Sequence, residues 1–270
     1  MNKASIVFFA AFILLWLDLA IGFAEEAWRF TIGGIAMHHV TRGDQFTDRI
    51  AVEGNKTKDS GSSFGGRVSV GRGAHTFNAA IYSGSGTTTA DRQYSRTGRA
   101  FTDIEVDRLD VDLSWNVTAE VGWNTQWGVS YGFKYLALDK DASYTEIFGD
   151  RRATLAYVDT EKWYMGAVGV WGTWQPWSIP ISFVGAGTIL AGYAEGTGVS
   201  NRDRSIDGNI KVELKPNQTS AAVGANAVIA IHYLLLDHVG ISLGGRGHNV
   251  SAKNLSESHA SVFASLDLSF

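Results

Sequence analysis

The 270-residue chain has no cysteine. That removes a disulfide framework, a thiolate metal site and a lipid-attachment cysteine from consideration. Proline is scarce, at 3 residues, which leaves few interruptions to long strands and argues against a disordered linker protein. Charge is close to balanced, with 23 Lys and Arg against 27 Asp and Glu, so there is no electrostatic case for nucleic acid as a partner. Beyond the first residues, no stretch of about eighteen is uniformly apolar, as a membrane helix would need. Apolar residues still make up 45% of the chain, and glycine is frequent at 31.

The one continuous apolar run is N-terminal. Lys3 precedes Ile6 to Leu17, and Gly22-Phe23-Ala24 supplies small residues at a cleavage position. Asp18 breaks the run after about twelve residues, short of the roughly twenty that span a bilayer. This reads as a secretory signal over residues 1–24, leaving a single domain at 25–270.

The clearest pattern lies between Ile104 and Ala137. Leu109, Val111, Leu113, Trp115 and Val117 alternate with Arg108, Asp110, Asp112, Ser114 and Asn116, and Trp127, Val129, Tyr131, Phe133 and Tyr135 alternate with Gln126, Gly128, Ser130, Gly132 and Lys134. A period of two places one apolar and one polar face on a strand. Two such strands of roughly ten residues, tightly joined, have transmembrane hairpin dimensions. Comparable segments are predicted at 27–38, 64–70, 74–82, 162–174, 179–193, 220–235, 239–249 and 258–270. Long polar loops are expected at His39–Ser63, Gly84–Asp103, Asp139–Asp159 and Glu195–Gln218. The fold expected is an all-β, antiparallel up-and-down transmembrane barrel of about ten strands, with 8 or 12 as alternatives.

Trp28, Trp115, Trp123, Trp127, Trp171, Trp174 and Trp177 fall near the short-turn ends of these strands, and Tyr82, Tyr135, Tyr193 and Trp163 near the opposite ends. Interfacial girdles of this kind are expected of a membrane barrel, with Trp28, Trp115, Trp127, Trp171, Trp174 and Trp177 forming one of them. The chain closes on Val262, Ala264, Leu266, Leu268 and Phe270 in strict alternation. This terminal strand resembles the C-terminal recognition strand of Gram-negative outer-membrane barrels, and the architecture is similar to the OmpA-like transmembrane class. The resemblance implies export through the periplasm to the outer membrane. It also implies closure of the last strand on the first, and Leu266, Leu268 and Phe270 as an insertion signal read by the barrel assembly machinery. The implied partners are outer-membrane lipid and lipopolysaccharide around a monomer.

With outward parity set, Arg67, Arg108, Asp110, Asp112, Lys134, His232, Arg246, His248 and Asp267 point inward. Mixed charges in a narrow bore must pair, which predicts a salt-bridged plug built from Arg67, Arg108, Asp110, Asp112, Lys134, Arg246 and Asp267. Lys134 is expected toward Arg108 rather than the two carboxylates, and Arg246 with Asp267 in a second cluster. Gly166, Val168, Val184, Ala186, Gly224 and Ala230 are assigned to a small, weakly polar inner wall. Outer-membrane hydrolases offer a third reading. Omptin proteases use acidic pairs with an Asp-His couple, and lipid A deacylases a His-x-Ser pair, to which Asp110/Asp112 and His259-Ala260-Ser261 are the only counterparts. Asp44, Asp48, Glu53 and Asp59 form an acidic stretch best read as solvated. No catalytic residue, metal site or cofactor is assigned. A structural or surface-interaction barrel is the first expectation, and a narrow porin-like pore or a barrel carrying small hydrophobic molecules is the second.

Overall fold

The computed structural model describes residues 28–43, 57–93, 98–122, 124–148, 151–176, 178–204, 209–253 and 255–270. The signal segment, Trp123, Trp177, Asp44, Asp48 and Glu53 lie outside them. The strands are β1 (Arg29–Gly43), β2 (Thr57–Arg72), β3 (His75–Gln93), β4 (Gly98–Gly122), β5 (Thr125–Phe148), β6 (Arg151–Trp174), β7 (Ile181–Arg204), β8 (Asn209–Leu236), β9 (Val239–Ala252) and β10 (Leu255–Ser269). Each pairs antiparallel with its neighbours in sequence, and β10 returns to β1, so the sheet is a closed barrel. Closure is sealed by reciprocal backbone bonds between Phe30 and Phe270, at 3.1 and 2.8 Å.

The cross-strand pairing fixes the barrel's geometry. Pairs followed from Thr41 through His259, His248, Asn226, Thr188, Gly169, Ser130, Asn116, Thr76 and Gly71 return to β1 at Arg29, twelve residues down the strand. With about 3.3 Å per residue and about 4.8 Å between strands, a shear of twelve over ten strands tilts each strand by about 40°. Phe183 and Tyr193 on β7 then lie about 25 Å apart along the barrel axis. The outward face between those levels is apolar and uncovered, with Ile189 74%, Ile229 70% and Val168 67% exposed. A largely apolar belt of that height, with exposed His38, Ser62 and Ser83 toward its Tyr193 edge on β1 to β3, matches the hydrocarbon core of a bilayer.

At one end the strands meet in tight turns. Gly73 and Asn124 take left-handed backbone conformations there, φ 57° and 56°, which glycine and asparagine adopt most readily. At the other end the structure corrects the sequence reading. The stretches expected as long loops are mostly strand: β3 and β4 continue to Gln93 and from Gly98, β5 and β6 to Phe148 and from Arg151, and β7 and β8 to Arg204 and from Asn209. β2 and β3, expected to be short, run 16 and 19 residues. Beyond the belt the alternation reverses on β4 and β5, with Asp103, Glu105, Asp107, Asp139 and Asp141 outside and Ile104, Val106 and Lys140 inside, so the apolar-outside signal is lost while the backbone ladder continues. β7 extends past Tyr193 by about 25–30 Å of axial height, whereas β9 and β10 stop soon after the belt. The barrel is therefore a cylinder with one tall wall, β3 to β8.

Ile229 and Val158 test where the belt ends. Ile229 lies near its middle on β8, and Val158, 54% exposed, lies above it on β6, opposite Asp141. Ile229→Arg is expected to cost about 2–4 kcal/mol of unfolding free energy in lipid vesicles, while Val158→Arg is near neutral. Equal costs at the two positions would place the belt elsewhere.

Candidate functional site

Alternation sends the even residues of β4, β5, β8 and β9 and the odd residues of β1, β2, β6 and β10 into the bore. In a ten-stranded ring β4 and β9 stand five strands apart, on opposite walls. Side chains from these two walls meet. Arg246 of β9 donates to Asp110 at 3.2 Å and to Asp112 at 2.5 Å, and Lys134 of β5 donates to the same carboxylates at 2.5 and 3.1 Å. Arg108 bonds Glu257 of β10 at 2.7 Å and approaches Asp110 at 4.0 Å. Three carboxylates and three cations thus balance in one layer that crosses the bore. The Arg246 guanidinium also lies over the Tyr82 ring, 4.9 Å from its centroid.

Two sequence expectations are corrected here. Lys134 reaches both carboxylates, because β4 pairs with β5 at Asp112↔Lys134. Arg246 joins this layer instead of Asp267. Asp267 pairs with Arg67, and both stand opposite Gly33 of β1, where a Cβ would run into the Asp267 carboxylate. Glycine is what lets this pair close across an intervening strand. Ser265, Ser242 and His232 continue its hydrogen-bond chain.

The sequence reading also missed part of the layer. His39, Ser63, Glu257 and His259 lay in, or beside, segments read as loop. In the structure His259 stacks between His39 and His248, with ring centroids 5.2 and 5.0 Å apart. Ser63 shares a 3.2 Å hydrogen bond with His39, and Thr41 one of 3.3 Å with His259. His248 Nε2 lies 3.0 Å from both Arg108 and Glu257. All three rings are buried.

The other half of the bore is apolar, and it is bulkier than expected. Leu136, Leu138, Trp163, Met165, Leu190, Ala194, Ala222 and Val250 form one buried cluster with Ile104 and Val106. Above it, Lys140 and Glu161 make a buried ion pair. Val184, Ala186, Gly224 and Ala230 do face inward, but Gly166 and Val168 face out. Both parities of β6 are apolar, so alternation alone could not choose between them. Toward the short-turn end the inward residues Asn78, Ser114, Val184, Ala186 and Ala230 are only partly buried. The bore is therefore a cup, open at the turns and stopped at the charged layer.

Of the tryptophans, Trp28, Trp127 and Trp174 stand exposed on the outer wall at the short-turn end, each more than two-fifths accessible. Trp115 faces outward but is covered by Tyr131 and His75, to which its indole N–H donates at 3.2 Å. Trp171 belongs to the inner face instead, its indole nitrogen beside Gly128. Proximity to a strand end had suggested the girdle, but its odd position on β6 is that of Trp163 and Met165. Tyr135, Tyr164 and Tyr193 stack in a row at the opposite edge of the belt, 5.1 and 4.9 Å between centroids. Leu266, Leu268 and Phe270 project outward. His259 and Ser261 share the inner face yet bond elsewhere, Ser261 donating to the Arg246 carbonyl at 3.4 Å.

No protein-family model matches the chain. A comparison with curated proteins likewise returns no match. Solved structures do match. The outer membrane protease OmpT of Escherichia coli aligns over 91% of this chain and 97% of its own, with 12% identity and a TM-score of 0.55. This is the fold of Gram-negative outer-membrane β-barrels. Neisserial surface protein A and Yersinia pestis Ail align over similar shares, at 11% and 10% identity, with TM-scores of 0.31 and 0.32. At these identities the likeness concerns the fold alone. Relative to that fold, the layer from β4 to β9 is a set of ion pairs, and Asp110 and Asp112 are bound by cations on two sides.

The pairing can be tested by a double-mutant cycle. Lys134→Met leaves Asp110 short of a partner in a dry environment and is expected to cost about 3–5 kcal/mol. Adding Asp110→Asn should recover part of that loss, because the orphaned charge goes with it. Additive losses in urea titrations would show that the two groups are not coupled.

Proposed function

We propose that this protein is an outer-membrane barrel with a closed lumen, exported by its N-terminal signal, whose work is done at its outer end by the tall hairpins of β3 to β8. The observation that supports this most is the layer linking β4 to β9. A channel needs a continuous wet path, and here ion pairs between opposite walls occupy one half of the cross-section while Trp163, Met165 and Leu190 fill the other. Buried charges that are fully paired hold water and ions out as well as apolar packing does, provided none is left alone. The short turns face the periplasm in this reading, so the open cup does too, and the Tyr135–Tyr164–Tyr193 row marks the outer interface.

The hairpins above that interface carry the surface role. On β4 and β5, Asp103, Glu105, Asp107, Asp139 and Asp141 are exposed on the outer face, and Asp107 stands directly opposite Asp139. Like charges opposed across a ladder weaken a sheet, so the sequence here does not optimise the strand pairing. Outer-membrane lipid and lipopolysaccharide surround the barrel, the assembly machinery recognises Leu266, Leu268 and Phe270, and the protein acts as a monomer.

Planar-bilayer recording decides between this reading and a pore. Wild-type protein at neutral pH is expected to show conductance near background, with heat-shifted gel migration confirming that it is folded. Stable, ion-selective open steps whose selectivity changes when Asp110 and Asp112 are neutralised would establish a pore.

A further inference from the structure

The His39–His259–His248 stack is not needed to balance the charged layer, which already holds three carboxylates and three cations. What the stack touches gives it a different role. Arg108 can bond His248 Nε2 only through the lone pair of a neutral ring, whereas Glu257 requires an N–H at the same nitrogen. Both lie 3.0 Å away, so His248 sits between two mutually exclusive hydrogen bonds. Its Nδ1 and the second Glu257 oxygen make no hydrogen bond among the described residues. We propose that this stack is a proton-operated latch: proton uptake turns His248 toward Glu257, drives Arg108 off it, and opens the bore in acid. The proposal rests on the reading that the lumen is closed at neutral pH.

The surrounding groups favour release over accommodation. Around the stack are Thr41 from β1, Ser63 from β2, Arg108 and Asp110 from β4, Lys134 from β5 and Glu257 from β10, with Asp112, Arg246 and Tyr82 one contact further along the same network. The carboxylates among them are already held by Arg108, Lys134 and Arg246, and the remaining ion pair, Lys140 with Glu161, is closed on itself. β7 and β8 contribute Leu190, Ala194 and Ala222 at this level. A new imidazolium therefore meets three fixed cations, the anion it turns to, Glu257, is one that Arg108 already holds, and a second imidazolium would stack on the first. Because Arg108 stands on β4 and its partners on β9 and β10, losing its grip removes one of the ties between opposite walls and leaves only Arg246 with Asp110 and Asp112 to span them.

The test uses the full folded barrel in a planar bilayer at about pH 7.5 and about pH 3.5, beside the His39→Gln/His248→Gln/His259→Gln variant. The expected result is a silent wild type at the higher pH, open steps at the lower, and loss of the acid response in the variant. If the triple variant does not fold, His248→Gln alone is recorded, and the imidazole resonances of the wild type are followed by NMR through the transition. They should titrate together with opening. A wild type silent at both values overturns the latch and leaves the closed lumen standing. Acid opening that is the same in the folded variants, or imidazoles that titrate apart from opening, also overturns it. Steady conductance at pH about 7.5 overturns the closed lumen and the latch together.

Discussion

The contact on which this barrel depends is the one between Arg246 on β9 and the carboxylates of β4. Six ionised groups, five of them buried, share a layer, and each would be costly alone. They are tolerable only as a set, because each carboxylate has a cation on another strand and the sum of charges is zero. The constraint is geometric as well as electrostatic. An ion pair between adjacent strands would tolerate any bore, but one between opposite walls fixes the diameter to the reach of an arginine and an aspartate. The barrel's cross-section is thus held by side chains from within and by the backbone ladder from without.

The division of the bore follows from this. Long cations on β4, β5 and β9 need room, and Gly33, Ser63, Ser261 and Ser265 on the β1, β2 and β10 walls provide it. Apart from Lys134 and the Lys140–Glu161 pair above it, the walls from β5 to β8 pack Leu136, Trp163, Met165 and Leu190 instead. Exchanging a polar group into that half would leave it unpaired, and exchanging an apolar one into the other would orphan a charge. Each half is therefore specified by the other, which is how a period-two sequence acquires two different kinds of inward face.

What could be read in advance, and what could not, divides along the same physical line. β4 and β5 were legible because lipid on one side and charge on the other make Leu109–Val117 and Trp127–Tyr135 alternate without exception. The chain's last residues were legible for the same reason. β6 was not, because Trp163 and Met165 are as apolar as Val168 and Val170, and no contrast marks the faces. The tall hairpins were hidden because beyond the lipid Ile104 and Val106 turn inward and acids turn outward, so the apolar-outside pattern does not continue. The partners across the bore were out of reach for a further reason. Which residue faces Asp112 from β9 depends on the twelve-residue shear, and that offset is a property of closure that no single strand carries. His39, Ser63 and His259 were missed with it, since they acquire a role only when β1, β2, β9 and β10 are brought together.

The asymmetry of the barrel's two ends then has a physical meaning. Beyond the belt, β1, β2, β9 and β10 stop early on the side of the bore that holds the histidine stack, while β3 to β8 continue. Among the described strands, the charged layer is nearest to the strand ends on the low side of the wall and farthest from them on the high side. His39, His259 and Glu257 lie closer to that end of the barrel than Asp112 or Arg67. The tall wall shields the apolar half of the bore, where water would do most harm to packing. The low wall places the polar half near the short ends of β1, β2, β9 and β10, where paired charges rather than apolar packing fill the bore.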